Sequence, residues 1–191
     1  MTPENSHIMN RINKKSMRRI NARKITKAVK TLFIEANTVL GKDVMEALQK
    51  ALSTEESDTG RQVLQKMIEN ADIARREKIP ICQDTGLAVV FVELGQDVRV
   101  TGGPLQEAIE EGVRQAYQDG YLRKSVCDPL TRANTNDNAP SILHMDIVPG
   151  NQLRIIAMPK GGGSENMSAA RMLTPAAGIE GIKKFVLETV E

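Results

Sequence analysis

Apolar residues recur at steps of three and four from Ile25 through Val29, Leu32, Phe33, Ala36 and Leu40, which predicts an amphipathic helix that Gly41 stops. Val44, Leu48 and Leu52 carry the same period on a second helix. Ser53 to Gly60 break it, and Val63, Leu64, Met67, Ile68, Ala71 and Ala74 restore it on a third. Pro80 closes this helical region. The run Leu87-Ala88-Val89-Val90-Phe91-Val92 is apolar without alternation and rich in β-branched residues, the pattern of a strand buried on both faces. A turn at Gly95 to Asp97 leads to a second strand, Val98 to Thr101. Pro104 suits the first turn of a helix whose apolar face is Leu105, Ala108, Ile109, Val113, Ala116 and Tyr117 and whose end is Gly120. Leu143, Met145 and Ile147 alternate with His144 and Asp146, and Leu153, Ile155 and Ala157 alternate about Arg154. Two strands on either side of Pro149–Gly150 are therefore expected to form a hairpin. A last helix is expected around Ile179, Ile182, Phe185, Val186 and Val190; it carries no stop signal, which reads as a chain cut within a longer protein. The implied class is α+β, a helical N-terminal bundle packed on a mixed α/β unit.

Charge refines this picture. The 26 basic and 24 acidic side chains nearly cancel, so no nucleic-acid or membrane partner is expected from the balance. Seven of the basic residues lie within residues 1–24 against Glu4 alone, so the body of the chain is mildly acidic. Residues 1–16 read as a disordered basic extension, with the folded part spanning 17–191. The start lacks the apolar run of a secretory signal and no stretch is long enough to span a bilayer, which points to the cytoplasm. Two cysteines, Cys82 and Cys127, are then expected as reduced thiols, one of them a possible metal ligand. His7 and His144 are too few for a zinc site or a Ser-His-Asp triad.

Three segments carry candidate chemistry. Ile81-Cys82-Gln83-Asp84-Thr85-Gly86 puts a thiol, an amide, a carboxylate and a hydroxyl on one short turn before the buried strand. Its plainer reading is a capped turn with a buried cysteine and a positive φ at Gly86. Tyr121-Leu122-Arg123-Lys124-Ser125 opens a polar loop running to residue 140, longer than structureless loops usually are, in which Arg123 can grip a carboxylate with both nitrogens. A solvated helix end explains the same two cations. Pro159-Lys160-Gly161-Gly162-Gly163-Ser164-Glu165-Asn166 follows a strand and offers backbone amides to an anion, yet it fits neither nucleotide-binding glycine pattern. A small carboxylate or phosphate suits it better, and a flexible turn is the alternative.

Taken in series, Ile79-Pro80-Ile81-Cys82-Gln83-Asp84-Thr85-Gly86, then Gly120-Tyr121-Leu122-Arg123-Lys124-Ser125 with Asp128-Pro129, Arg132, Asn134-Thr135 and Asp137-Asn138, then Pro159-Lys160-Gly161-Gly162-Gly163-Ser164-Glu165-Asn166-Met167-Ser168 resemble the α subunit, or N-terminal domain, of class I oxygen-sensitive fumarate hydratases and the related L-tartrate dehydratases. The resemblance implies a hydro-lyase with a four-iron four-sulfur cluster, Cys82 being one thiolate ligand and the remaining ligands lying outside this chain. It implies that Asp84 is catalytic, that Gln83, Asp84, Arg123, Gly162 and Gly163 contact a dicarboxylate substrate (fumarate/malate or tartrate), and that Cys127 is no ligand. It further implies a β subunit or C-terminal domain that completes the site and supplies the proton-abstracting base, a homo-oligomer or heteromer, and an isolated chain without activity. A non-catalytic scaffold lacking the cluster, or a carboxylate- or phosphate-binding domain, is the alternative from another class.

Overall fold

The computed structural model describes residues 17–163 and 167–190. The extension expected over residues 1–16, and Ser164, Glu165 and Asn166 of the glycine-rich segment, lie outside the described residues. The chain divides after Lys160 into two compact units. In order, the first unit holds β1 (Arg18–Asn21), α1 (Ala22–Thr38), α2 (Lys42–Thr54), α3 (Asp58–Glu77), β2 (Leu87–Gly95), β3 (Val98–Thr101), α4 (Leu105–Asp119), β4 (Ile142–Val148) and β5 (Leu153–Lys160). Helices and mixed sheets together make this an α+β fold.

Helix α1 begins where the Asn21 side chain accepts the Arg23 backbone N–H, a capping bond that satisfies one of the orphan donors of the first turn. Ile25, Val29 and Phe33, four residues apart, then share one buried face. That face meets α4, whose Ala108, Ile109, Val113, Ala116 and Tyr117 lie in the same core as Ala88, Val90 and Val92 of β2. The two helices approach closely because position 112 is glycine: a Cβ there would sit 2.7 Å from both the Val29 Cβ and the Thr26 carbonyl oxygen. Thr26 adds a hydroxyl bond across the contact, donating to the Ala108 carbonyl at 2.9 Å. Within the expected helical region, α1 thus belongs to the sheet and α4, while α2 and α3 pair chiefly with one another.

The three-stranded sheet has the order β4-β2-β5, with β4 parallel and β5 antiparallel to β2. The hairpin expected across Pro149–Gly150 therefore does not form. β2 stands between its two strands, because a near-continuous apolar run gains more by pairing on both edges than at a sheet margin. One face of β2 is buried in the core, whereas on the other Phe91 is 39% exposed and stacks on His144 at 4.9 Å. Burial on both faces holds only in part, and His144 is a surface residue of the sheet. β1 and β3 make a separate parallel pair.

The second unit contains a 3-10 turn at Pro175–Ala177 and helix α5 (Gly178–Val190), the helix expected there. Arg171 pairs with Glu188 at 2.5 Å and lies 4.8 Å over the Phe185 ring. Hydrogen bonding from that guanidinium holds the Glu188 carboxyl below its ordinary range. No helix of the described residues is long and apolar enough to cross a membrane.

Candidate functional site

The turn between α3 and β2 carries the first group of site residues. Lys78 ends α3 in a left-handed conformation, with φ 54° and ψ 43°. The Ile81 N–H then donates to the Asn37 carbonyl at 2.8 Å, while the Asn70 amide donates to the Ile81 carbonyl at 2.9 Å, so the chain is held on both sides before Cys82. Cys82 is exposed. Its Sγ accepts the Asp84 backbone N–H at 3.4 Å and lies 3.5 Å from the Gln83 side-chain oxygen. The Asp84 carboxylate accepts the Gly86 N–H at 3.2 Å, an Asx turn that the positive φ of Gly86, 64°, completes.

The second group stands on the segment after α4. Thr85, buried, donates its hydroxyl to the Arg123 carbonyl at 3.0 Å. Arg123 is exposed, and its guanidinium makes no ion pair among the described residues. Two buried polar residues complete the join. The Tyr117 hydroxyl donates to the carbonyls of Thr85 at 2.8 Å and Gly86 at 3.2 Å. Asn138, fully buried, donates to the Gly86 carbonyl at 3.1 Å and accepts the N–H groups of Ser125 and Val126.

The long loop owes its shape to such side-chain bonds. Asp128 accepts the N–H groups of Leu130 and Thr131 and the Thr131 hydroxyl, which hold its carboxyl below the ordinary range. Cys127 bridges Asn134 across the loop. Helix α4 fastens the far end: Arg114 donates to Asp137 at 2.9 Å, and the buried Glu110 carboxylate accepts the Ser141 N–H and hydroxyl. Burial opposes the charge on Asp137, but the Ala139 N–H, Arg114 and Thr135 outweigh it and keep that carboxyl low. The phenol of Tyr117 is pushed well above its ordinary value, first by burial and then by the negative charge of Asp84, with its bond to Asn138 opposing. Glu110, Arg114 and Tyr117, at steps of four and three, are thus one face of α4 that fastens the Cys82 turn and the far end of the loop.

Cys82, Gln83, Asp84 and Arg123 are brought onto two adjoining, cross-linked segments of the first unit. Gly162 and Gly163 belong to the second unit, both exposed, with open space where a Cβ would project. The roles of Tyr117 and Asn138 were missed by the sequence reading. A hydroxyl on the apolar face of α4 was the available signal, since a buried tyrosine needs an acceptor. As a metal centre the described residues are incomplete: Cys82 can offer one exposed thiolate, and no group of three or more His, Cys, Asp or Glu is placed among them to hold an ion.

An exposed thiol, an amide, a carboxylate and a guanidinium with no ion pair among the described residues thus stand on fastened segments. A profile of the family described as fumarate hydratase (Fumerase) matches residues 26–191. The chain belongs to that family. It is 43% identical over 173 residues to a Methanocaldococcus jannaschii protein provisionally named L(+)-tartrate dehydratase subunit alpha, covering 87% of this chain and 61% of that one. It is 30% identical over 171 residues to L(+)-tartrate dehydratase subunit alpha of Escherichia coli strain UTI89, covering 87% and 56%. Fumarate hydratase 2 of Leishmania major is 33% identical over 152 residues, covering 78% of this chain and 27% of its own length. The chain thus spans between about a quarter and three fifths of these relatives.

Proposed function

We propose that residues 17–191 are the N-terminal part of a cytoplasmic iron–sulfur hydro-lyase that interconverts fumarate and L-malate together with a β subunit or C-terminal domain, as a homo-oligomer or heteromer. The observation that carries the reading is the exposed Cys82 thiol on a turn that Thr85 and Asn138 bond to the Arg123 segment. Cys82 would hold one corner of a four-iron four-sulfur cluster, whose other thiolates come from beyond the residues described. Bound there, the cluster supplies a Lewis acid for the departing hydroxyl. This chain's own residues orient the acid. Arg123 pairs with one substrate carboxylate through two parallel N–H bonds. Gln83 offers an amide to the same molecule, and Asp84 accepts a hydrogen bond from the substrate hydroxyl, fixing which face is presented. The base that removes the C3 proton belongs to the partner piece.

The 43% identity to the Methanocaldococcus jannaschii chain, and the greater coverage of both chains named for tartrate, favour a second reading, dehydration of L-tartrate by the same residues. The test is turnover of the complex with its β subunit, purified under argon, on fumarate, L-malate and L-tartrate. Fumarate hydration that vanishes with Cys82→Ser supports the first reading. Activity on tartrate alone rejects it in favour of the second, and activity on none rejects hydro-lyase function.

A further inference from the structure

Through its side chain, Asn138 reaches both the Cys82 turn and the stretch that follows Arg123. Its backbone is left-handed at φ 61°, a conformation that asparagine tolerates and most residues do not. That twist aims the carboxamide inward, where it is fully buried. The oxygen end accepts two successive backbone N–H groups, of Ser125 and of Val126 at 3.0 Å, just past Arg123. The nitrogen end donates 3.1 Å away to the carbonyl of Gly86, the last residue of the Cys82 turn. The Thr85 hydroxyl makes a parallel bridge to the Arg123 carbonyl. An Asn carboxamide carries its acceptor and its donor on two different atoms, so it can bond in two directions at once, which this place requires.

We infer that Asn138 is a positioning residue for the proposed reaction, one that sets the distance between the Arg123 guanidinium and the Cys82-Gln83-Asp84 turn without touching substrate. The inference rests on the reading of Arg123 as carboxylate clamp given above. Misplacing a clamp weakens binding of the substrate more than it slows a bound molecule, so the signature is a raised KM with a lesser change in kcat. A purely structural role gives the reverse pattern: fewer folded molecules, lower apparent kcat and parental KM.

The decisive variant is Asn138→Asp, which keeps the acceptor end and the shape but turns a lone pair toward the Gly86 carbonyl. In the complex at pH 8, KM for the dicarboxylate is expected to rise about tenfold over the parent. The ratio should fall back toward one as the pH is lowered and the introduced carboxyl gains a proton, which restores a donor to Gly86. Asn138→Gly relieves the left-handed backbone, removes both ends, and should show the same rise with no recovery in acid. Parental KM in whichever Asn138 variant folds overturns the inference while leaving the hydro-lyase reading standing. An inactive parent complex overturns that reading instead, and amide exchange in the 191-residue chain then decides: Asn138→Asp must speed exchange of the Asp84 N–H at least tenfold, and unchanged exchange sinks the inference.

Discussion

Replacing Tyr117 by phenylalanine removes one oxygen atom from a place with no access to water. The side chain is fully buried, and its hydroxyl donates at 2.8 Å to the Thr85 carbonyl and at 3.2 Å to that of Gly86. Gly86 keeps the Asn138 donor, so the variant orphans one buried carbonyl, that of Thr85. Leaving such a group unpaired costs about 1–3 kcal/mol. In a unit of this size each kcal/mol lowers the melting temperature by roughly 2–4 °C, so Tyr117→Phe should melt several degrees below the parent. A pH series separates this from a loss of packing. The folded pKa of the phenol is raised, so its contribution is complete below the unfolded value of about 10 and is lost as the pH climbs through the folded value. By pH 11 the parent should therefore have lost about 1.4 kcal/mol that the phenylalanine variant never possessed, and the gap between them should close. Urea denaturation of both proteins from pH 7 to 11, followed by circular dichroism, measures it. A gap of less than about 0.3 kcal/mol at pH 7, or one that stays constant to pH 11, refutes the argument.

Other consequences are as direct. Arg123→Gln should raise KM for the dicarboxylate by about 10- to 100-fold, as loss of a charge-assisted pair does, with the fold unchanged by circular dichroism; parental KM would remove Arg123 from the site. Gly112→Ala forces a methyl to within 2.7 Å of the Thr26 carbonyl and Val29, and should destabilise by about 1–3 kcal/mol in urea, with α1 and α4 pushed apart. The Asp137 carboxyl titrates below its ordinary range, so its contribution is present above about pH 4 and is lost as the pH falls through the folded value. Asp137→Asn should accordingly differ from the parent at pH 7 and converge with it in acid, as urea midpoints will register.

What could be read from the sequence follows the range of the forces involved. Helices α1 to α5 and strands β2 to β5 announce themselves because burial of one face imposes a period within the segment. β1 does not: Arg-Arg-Ile-Asn has no alternation, and it is a strand only because β3 lies beside it. The same limit misassigned the pairing of β4 and β5, since alternation reports that a segment is a strand and says nothing of its neighbour. The continuous apolar run of β2 did hold that information, for such a run belongs at the centre of a sheet. For the site, Cys82, Gln83, Asp84 and Arg123 stand out as chemistry crowded onto turns, whereas Asn138 passes for one more loop-forming asparagine until its partners, as far off as Gly86, are seen.

That contrast explains how the site is built. Groups meant for a ligand are left exposed, so the backbone that carries them has to be fixed from behind. The chain therefore spends polar side chains, most of them buried, on the backbone behind them: Tyr117 and Asn138 behind the Cys82 turn, Thr85 behind Arg123, Glu110 and the exposed Arg114 at the loop's far end. Three of these five sit on α4, and α4 is clamped to α1 through Gly112 and Thr26. Stability of the core and placement of the site residues are consequently one problem. A change that moves α4, such as Gly112→Ala, must displace the thiol turn and the guanidinium together, although neither group touches the altered residue.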